Sequence, residues 1–160
     1  MMHRPRNGPV TEPVWHRRCE GSGMSGARAR LVLIVDDDPA TAEVLATAIN
    51  DERGYRAVRA SSADDALDAL GRIEPDLLVL DIRLPGMSGL ELYDRIKADR
   101  RFGSVAVMFE TAGGREYAAA LRDRGIAAYV AKPFDIRNVV RFVKRLIPAR
   151  SRRAKRAGAG

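Results

Sequence analysis

Five short apolar runs alternating with five amphipathic segments predict an α/β domain built on a doubly wound parallel sheet. Two of the runs, Leu31 to Val35 and Leu77 to Leu80, are apolar throughout, as strands buried on both faces are. Both end abruptly on carboxylates, the first on Asp36-Asp37-Asp38 and the second on Asp81. The connections between runs are short, so parallel strands joined by right-handed crossovers, with helices on both faces, are expected. Sheets of this kind place their sites at the carboxyl ends of the strands, near the point where strand order reverses.

The elements follow in order. Asp38 before Pro39 marks a helix start, and Val44, Leu45, Ala48 and Ile49 are expected to form its buried face. Tyr55 to Arg59 is short and interrupted by Arg, which suits an edge strand. Ser62 opens a second helix with Ala63, Ala66, Leu67 and Leu70 inward, ending near Gly71. After the Asp81 strand a Pro-Gly turn leads to Ser88, and Glu91 three residues later completes a capping box. The helix that follows turns Leu92, Tyr93 and Ile96 inward. Val105 to Phe109 reads as the fourth strand, Arg115 to Arg122 as a helix and Ile126 to Val130 as the fifth strand. Asp135 caps a last helix with the clearest 3.6-residue period in the chain, from Ile136 to Ile147, stopped by Pro148.

Composition limits what this domain can be. The 160 residues, 46% apolar, suit one ordinary domain with a real core. The net charge of +7 suggests a polyanion partner until it is divided along the chain. Residues 1 to 29 hold five Arg against two Glu, residues 148 to 160 hold five bases and no acid, and the middle has 18 bases against 19 acids. The basicity lies in the two ends, so DNA binding by the domain is not expected. Residues 1–29, with Trp15 and His16, show neither helical nor strand periodicity and are read as a disordered basic extension, with Met24 a candidate true start. Residues 30–147 are the domain, and 148–160 a basic disordered tail. Cys19 is the single cysteine, which leaves no intrachain disulfide and fits a reducing cytoplasm. No apolar run approaches the roughly 18 to 20 residues that span a membrane, and no signal-peptide core is present.

At the strand ends, Asp36, Asp37 and Asp81 would repel one another unless a hard cation lay among them, and Mg²⁺ prefers such oxygen ligands. With Thr111 at the end of the fourth strand and Lys132 after the fifth, these residues could accept a phosphoryl group. A nucleotide-binding enzyme is disfavoured, because the first strand leads into acids rather than a glycine-rich phosphate loop.

Four segments carry a resemblance to a family. Ile34-Val-Asp-Asp-Asp-Pro39, Asp81-Ile-Arg-Leu-Pro-Gly-Met-Ser-Gly89, Thr111-Ala112 and Tyr129-Val-Ala-Lys-Pro-Phe134 resemble, in order, the motifs of the receiver domain of two-component response regulators. The resemblance implies a flavodoxin-like (βα)5 fold with strand order 2-1-3-4-5. It also implies transfer of a phosphoryl group to Asp81 from a histidine kinase or a histidine phosphotransfer protein. By the family pattern Asp37 would be a direct Mg²⁺ ligand, Asp36 an outer-shell acid and the Arg83 carbonyl a backbone ligand. Thr111 and Lys132 would contact the phosphoryl group, Tyr129 would be the aromatic switch, and Lys132-Pro133 would be a cis bond. Such a protein is not a conventional enzyme. With only Pro148 to Gly160 after the last helix, a single-domain regulator is expected, cytoplasmic and acting on a separate protein partner, with a homodimer left open. A phosphorylation-independent interaction module on the same fold is the alternative.

Two positions depart from the pattern. Glu110 stands where an apolar or small residue is usual, and must be solvated, paired with a base or aimed at the acidic pocket. Gly113-Gly114 suggests a mobile loop after the fourth strand.

Overall fold

A computed structural model describes residues 28–113 and 115–150. The readings for Trp15, His16, Cys19, Met24, Gly114 and the tail from 151 onward lie outside the described residues. Five strands, β1 (Arg30–Val35), β2 (Tyr55–Ala60), β3 (Leu77–Asp81), β4 (Ala106–Thr111) and β5 (Tyr129–Ala131), form one sheet in the order β2-β1-β3-β4-β5. All four pairings are parallel. The helices are α1 (Pro39–Asp51), α2 (Ala63–Leu70), α3 (Gly89–Ala98), α4 (Ala118–Asp123) and α5 (Ile136–Leu146), with a 3₁₀ turn at Arg100–Phe102. The flavodoxin-like topology expected from the resemblance is the one observed.

Alternation along the strands builds two cores. Leu33, Val35, Leu78, Leu80 and Phe109 face α2, α3 and α4, whereas Val32, Ile34, Leu77, Val79 and Met108 face α1 and α5. Every residue of β3 is buried, since it lies at the centre with helices on both sides.

Capping follows the sequence closely. Asp38 accepts the amides of Ala40 at 3.1 Å and Thr41 at 3.4 Å, with Pro39 opening α1. Ser88 Oγ accepts the Glu91 amide at 3.2 Å while Glu91 Oε2 accepts the Ser88 amide at 2.8 Å, the reciprocal capping box. Asp135 caps α5 through the Arg137 amide at 2.8 Å.

Several boundaries and faces differ from expectation. The buried face of α1 is Ala42, Leu45, Ala46 and Ile49, and Val44 is 51% exposed. Small alanines let the helix sit close to the sheet, which turns Val44 outward. Pairing carries β4 on to Thr111, and α4 starts only at Ala118, after a turn over 115–117. Ile126 is buried but not in a strand: Gly125 at φ +69° ends the preceding turn, and β5 pairs with β4 only from Tyr129. Tyr55, read only as the start of an edge strand, is fully buried, its hydroxyl donating to the Ile147 carbonyl at 2.9 Å. That bond ties the edge strand to the end of α5.

Candidate phosphoacceptor site

The carboxyl ends of β1, β3 and β4 converge with the loop after β5. Asp36, next after β1, is 1% exposed; its Oδ1 accepts the Asp38 amide at 2.8 Å, and its Oδ2 lies 2.9 Å from Lys132 Nζ. Asp81 closes β3 and is 6% exposed. Its Oδ1 accepts the Arg83 amide at 3.0 Å and its Oδ2 lies 3.2 Å from Lys132 Nζ. Asp37 is exposed. One carboxylate oxygen from each of Asp36, Asp37 and Asp81 falls within 4.8 Å of the others.

The electrostatics set these groups apart. Burial pushes the Asp81 carboxyl above its ordinary range, against the pull of the Arg83 amide and Lys132, and the charge of Asp36 adds to the rise. Burial works to lower Lys132, but the hydrogen bond to Asp36 and the charges of Glu110, Asp81 and Asp36 prevail and hold it above its usual value. One ammonium therefore serves three acids. A set of three hard oxygen donors around a shared space, with more negative charge than Lys132 can balance, fits Mg²⁺.

Thr111 is fully buried, and its hydroxyl is turned to its own loop. Oγ1 donates to the Gly113 carbonyl and accepts the Gly113 amide, both at 3.0 Å. Tyr129 stands on β5 with its side chain 40% exposed. The Arg83 amide lies at the site through Asp81, while the exposed Arg83 guanidinium lies 3.8 Å from Glu116. The Lys132-Pro133 bond is cis.

Two features were legible only in part. Glu110 pairs in register with Asp81 across β3 and β4, and is fully buried with neither carboxylate oxygen hydrogen-bonded among the described residues. Lys132 Nζ lies 3.9 Å away, too far for a hydrogen bond. Of the three outcomes open to Glu110, the structure buries it from bulk solvent and places it near the base and the acidic pocket. Gly89 entered the sequence reading only as the last residue of the segment that begins at Asp81. A Cβ there would fall 2.1 Å from the Asp81 carbonyl oxygen, so the start of α3 lies directly against the strand end that carries Asp81. An apolar groove also opens beside Lys132, lined by Val44, Pro133, Phe134 and Ile136. The outward Val44 belongs to it, which the helical period alone did not reveal.

Known proteins resemble this chain in sequence and in fold. The chain is 34% identical over 121 residues to sporulation initiation phosphotransferase F of Bacillus subtilis, a match covering 75% of this chain and 95% of that protein. It is 33% identical over 119 residues to the phosphate regulon transcriptional regulatory protein PhoB of Pseudomonas aeruginosa, covering 74% of this chain but only 52% of that one. The chain thus spans about half the length of PhoB. Among solved structures, the response regulator protein TrrA of Thermotoga maritima, in complex with Mg²⁺ and BeF, superposes with a TM-score of 0.65 at 30% identity, covering 74% of this chain and 99% of that one. Among the described residues no helix is long and apolar enough to cross a membrane. With the family profile of the response regulator receiver domain matching residues 32–144, the chain belongs to the receiver family of two-component signalling.

Proposed function

We propose that this chain is a phosphorelay receiver in which Asp81 accepts a phosphoryl group from a histidine kinase or a histidine phosphotransfer protein. The observation that carries this reading is a buried nucleophilic carboxylate with an ammonium 3.2 Å from one oxygen and two further acids beside it. Asp36, Asp37 and Asp81, with the Arg83 carbonyl, would hold Mg²⁺. When bound, that ion supplies positive charge against the phosphoryl oxygens.

The chain's own residues account for the rest. An Asp81 oxygen forms a bond to phosphorus as the bond from phosphorus to the donor's imidazole nitrogen breaks, and the electron pair leaves with the imidazole, which then takes a proton. No base is needed, since the nucleophile is already an anion paired with Lys132. Lys132, in reach of Asp81, neutralises an equatorial oxygen as charge develops. Thr111 gives up its contacts with Gly113 to donate to the new dianion, drawing the loop after β4 inward. Tyr129, now exposed, turns into the space this frees, and the face made by α4, β5 and α5 changes. The groove beside Lys132 offers a donor protein an apolar seat next to the nucleophile. Output through a separate protein fits the match over nearly the full length of sporulation initiation phosphotransferase F of Bacillus subtilis. The receiver promotes its own modification and does not turn over a separate substrate.

Intact mass after incubation with acetyl phosphate, with and without Mg²⁺, tests the reading. The wild type is expected to gain one phosphoryl group only with Mg²⁺, and Asp81→Asn to gain none. No gain by the wild type, together with no binding of beryllofluoride, would shift the function to a phosphorylation-independent interaction module.

A further inference from the structure

Lys132 lies near a buried carboxyl group, Glu110, that no hydrogen bond among the described residues satisfies. Its ammonium has three protons. Two partners are close, Asp36 at 2.9 Å and Asp81 at 3.2 Å, and the third acid, Glu110, lies at 3.9 Å. Glu110 points from β4 to the same side of the sheet as Asp81, its register partner, because paired residues of parallel strands share a face. It is fully buried and neither oxygen receives a hydrogen bond among the described residues. A carboxyl group in that position is stabilised by the charge of Lys132 and by nothing else the described residues provide.

We propose that Glu110 is a positioning residue that holds Lys132 back from Asp81 and so sets how readily the ammonium is released to an incoming phosphoryl group. This rests on Asp81 being the phosphoacceptor. A phosphoryl oxygen on Asp81 draws the ammonium toward itself and away from Glu110. The buried carboxyl is then left without its cation, and that loss opposes the gain at the phosphoryl group. A residue without a carboxyl group at this position removes that opposition and leaves Lys132 shared between Asp36 and Asp81 alone. Receivers with an apolar residue at this point of the fourth strand lack the restraint, so this chain is expected to take up a phosphoryl group more slowly than its site geometry alone would permit.

The test compares the wild type with Glu110→Gln and Glu110→Met, using acetyl phosphate at saturating Mg²⁺ and following phosphoryl uptake by intact mass. Both variants are expected to take up phosphoryl about fivefold faster, a size typical of coupling between neighbouring charged groups. In a Lys132→Ala background the Glu110 substitution is expected to change nothing, because its effect passes through the ammonium; an equal acceleration there would overturn the proposal. Should the Lys132 variant fold poorly or take up no phosphoryl, the ζ-nitrogen resonance of Lys132 in wild type and Glu110→Gln gives an independent reading. It is expected to shift on substitution, and an unmoved resonance with an unchanged uptake rate would overturn the proposal. A wild type that takes up no phosphoryl at all would instead remove the reading of Asp81.

Discussion

Asp76 and Asp81 stand at the two ends of β3, five residues apart, and the fold treats them in opposite ways. Asp76 Oδ2 accepts the Leu31 amide at 2.8 Å, and its Oδ1 meets Arg30 at 2.8 Å and Arg150 at 3.1 Å. Burial alone would push its carboxyl up, but the Leu31 amide and the two guanidinium groups outweigh it and hold it low. Asp81 has one amide and a share of one ammonium, with Asp36 and Glu110 competing for the same cation, and burial keeps its carboxyl high. The first acid is spent on holding β1 and the segment after α5 to the amino end of the sheet. The second is left with unused acceptor capacity at the carboxyl end, where a ligand can reach it. On one strand, complete satisfaction accompanies stability and incomplete satisfaction accompanies chemistry.

This contrast can be broken most severely at Gly89. Placing a methyl group 2.1 Å from the Asp81 carbonyl oxygen forces β3 and α3 apart, so Gly89→Ala is expected to lose about 4 kcal/mol in urea unfolding, in the range of severe steric substitutions. A loss under about 1 kcal/mol would mean the strand end yields easily.

The next effect is pH. Burial raises Glu110 from 4.5 to about 8, with Asp36 and Asp81 adding to the rise and Lys132 opposing it. Between those values the folded state binds a proton that the unfolded chain has released, so stability falls as pH rises through this window and is fully present only below it. In metal-free protein the decline from pH 5 to pH 8 is expected to be about 3 kcal/mol, discounted from the limit of about 1.4 kcal/mol per unit. Glu110→Gln should flatten the slope in chemical denaturation, and an unchanged slope would count against Glu110 as its origin.

The two aspartates themselves give the smallest and sharpest comparison. Asp76→Asn exchanges a charge for an amide between two guanidinium groups and is expected to cost about 2 kcal/mol. Asp81→Asn removes a charge the fold disfavours, and is expected to leave stability unchanged or raise it by about 1 kcal/mol. Equal destabilisation by both would erase the distinction between the two ends. Asp76 also adds the opposite pH dependence, since its depressed carboxyl stabilises above the unfolded value and that contribution is lost as acid protonates it.

How much of this was legible beforehand depends on what each residue's signal is made of. The strands and caps were plain because they are local: an apolar run ending on Asp36, a Ser88 with its Glu91, an Asp38 before Pro39. The motif residues could be marked one by one, and the fold brings Asp36, Asp81 and Lys132 together across intervals of 45 and 51 residues. What escaped was relational. Val44 and Ala42 compete for the same helix face, and periodicity favours the larger residue although close packing selects the smaller. Ile126 looks like strand because it is apolar, but β4 offers its pairing edge only from Phe109 onward. Glu110 was visibly out of place; that it would be buried, and 3.9 Å from the Lys132 ammonium, depended on the register between β3 and β4. Gly89 concealed its role because the missing side chain matters only against Asp81.

The closed loop of Thr111 and Gly113 makes the backbone its own reporter. An amide held by a hydroxyl exchanges its proton with solvent slowly, and the same amide released to water exchanges fast. If Thr111 turns to a phosphoryl group, the Gly113 amide loses its acceptor at 3.0 Å and its exchange should quicken while β4 amides stay protected. Deuterium uptake at that single position would then measure how often the loop has let go, without any label, partner or output.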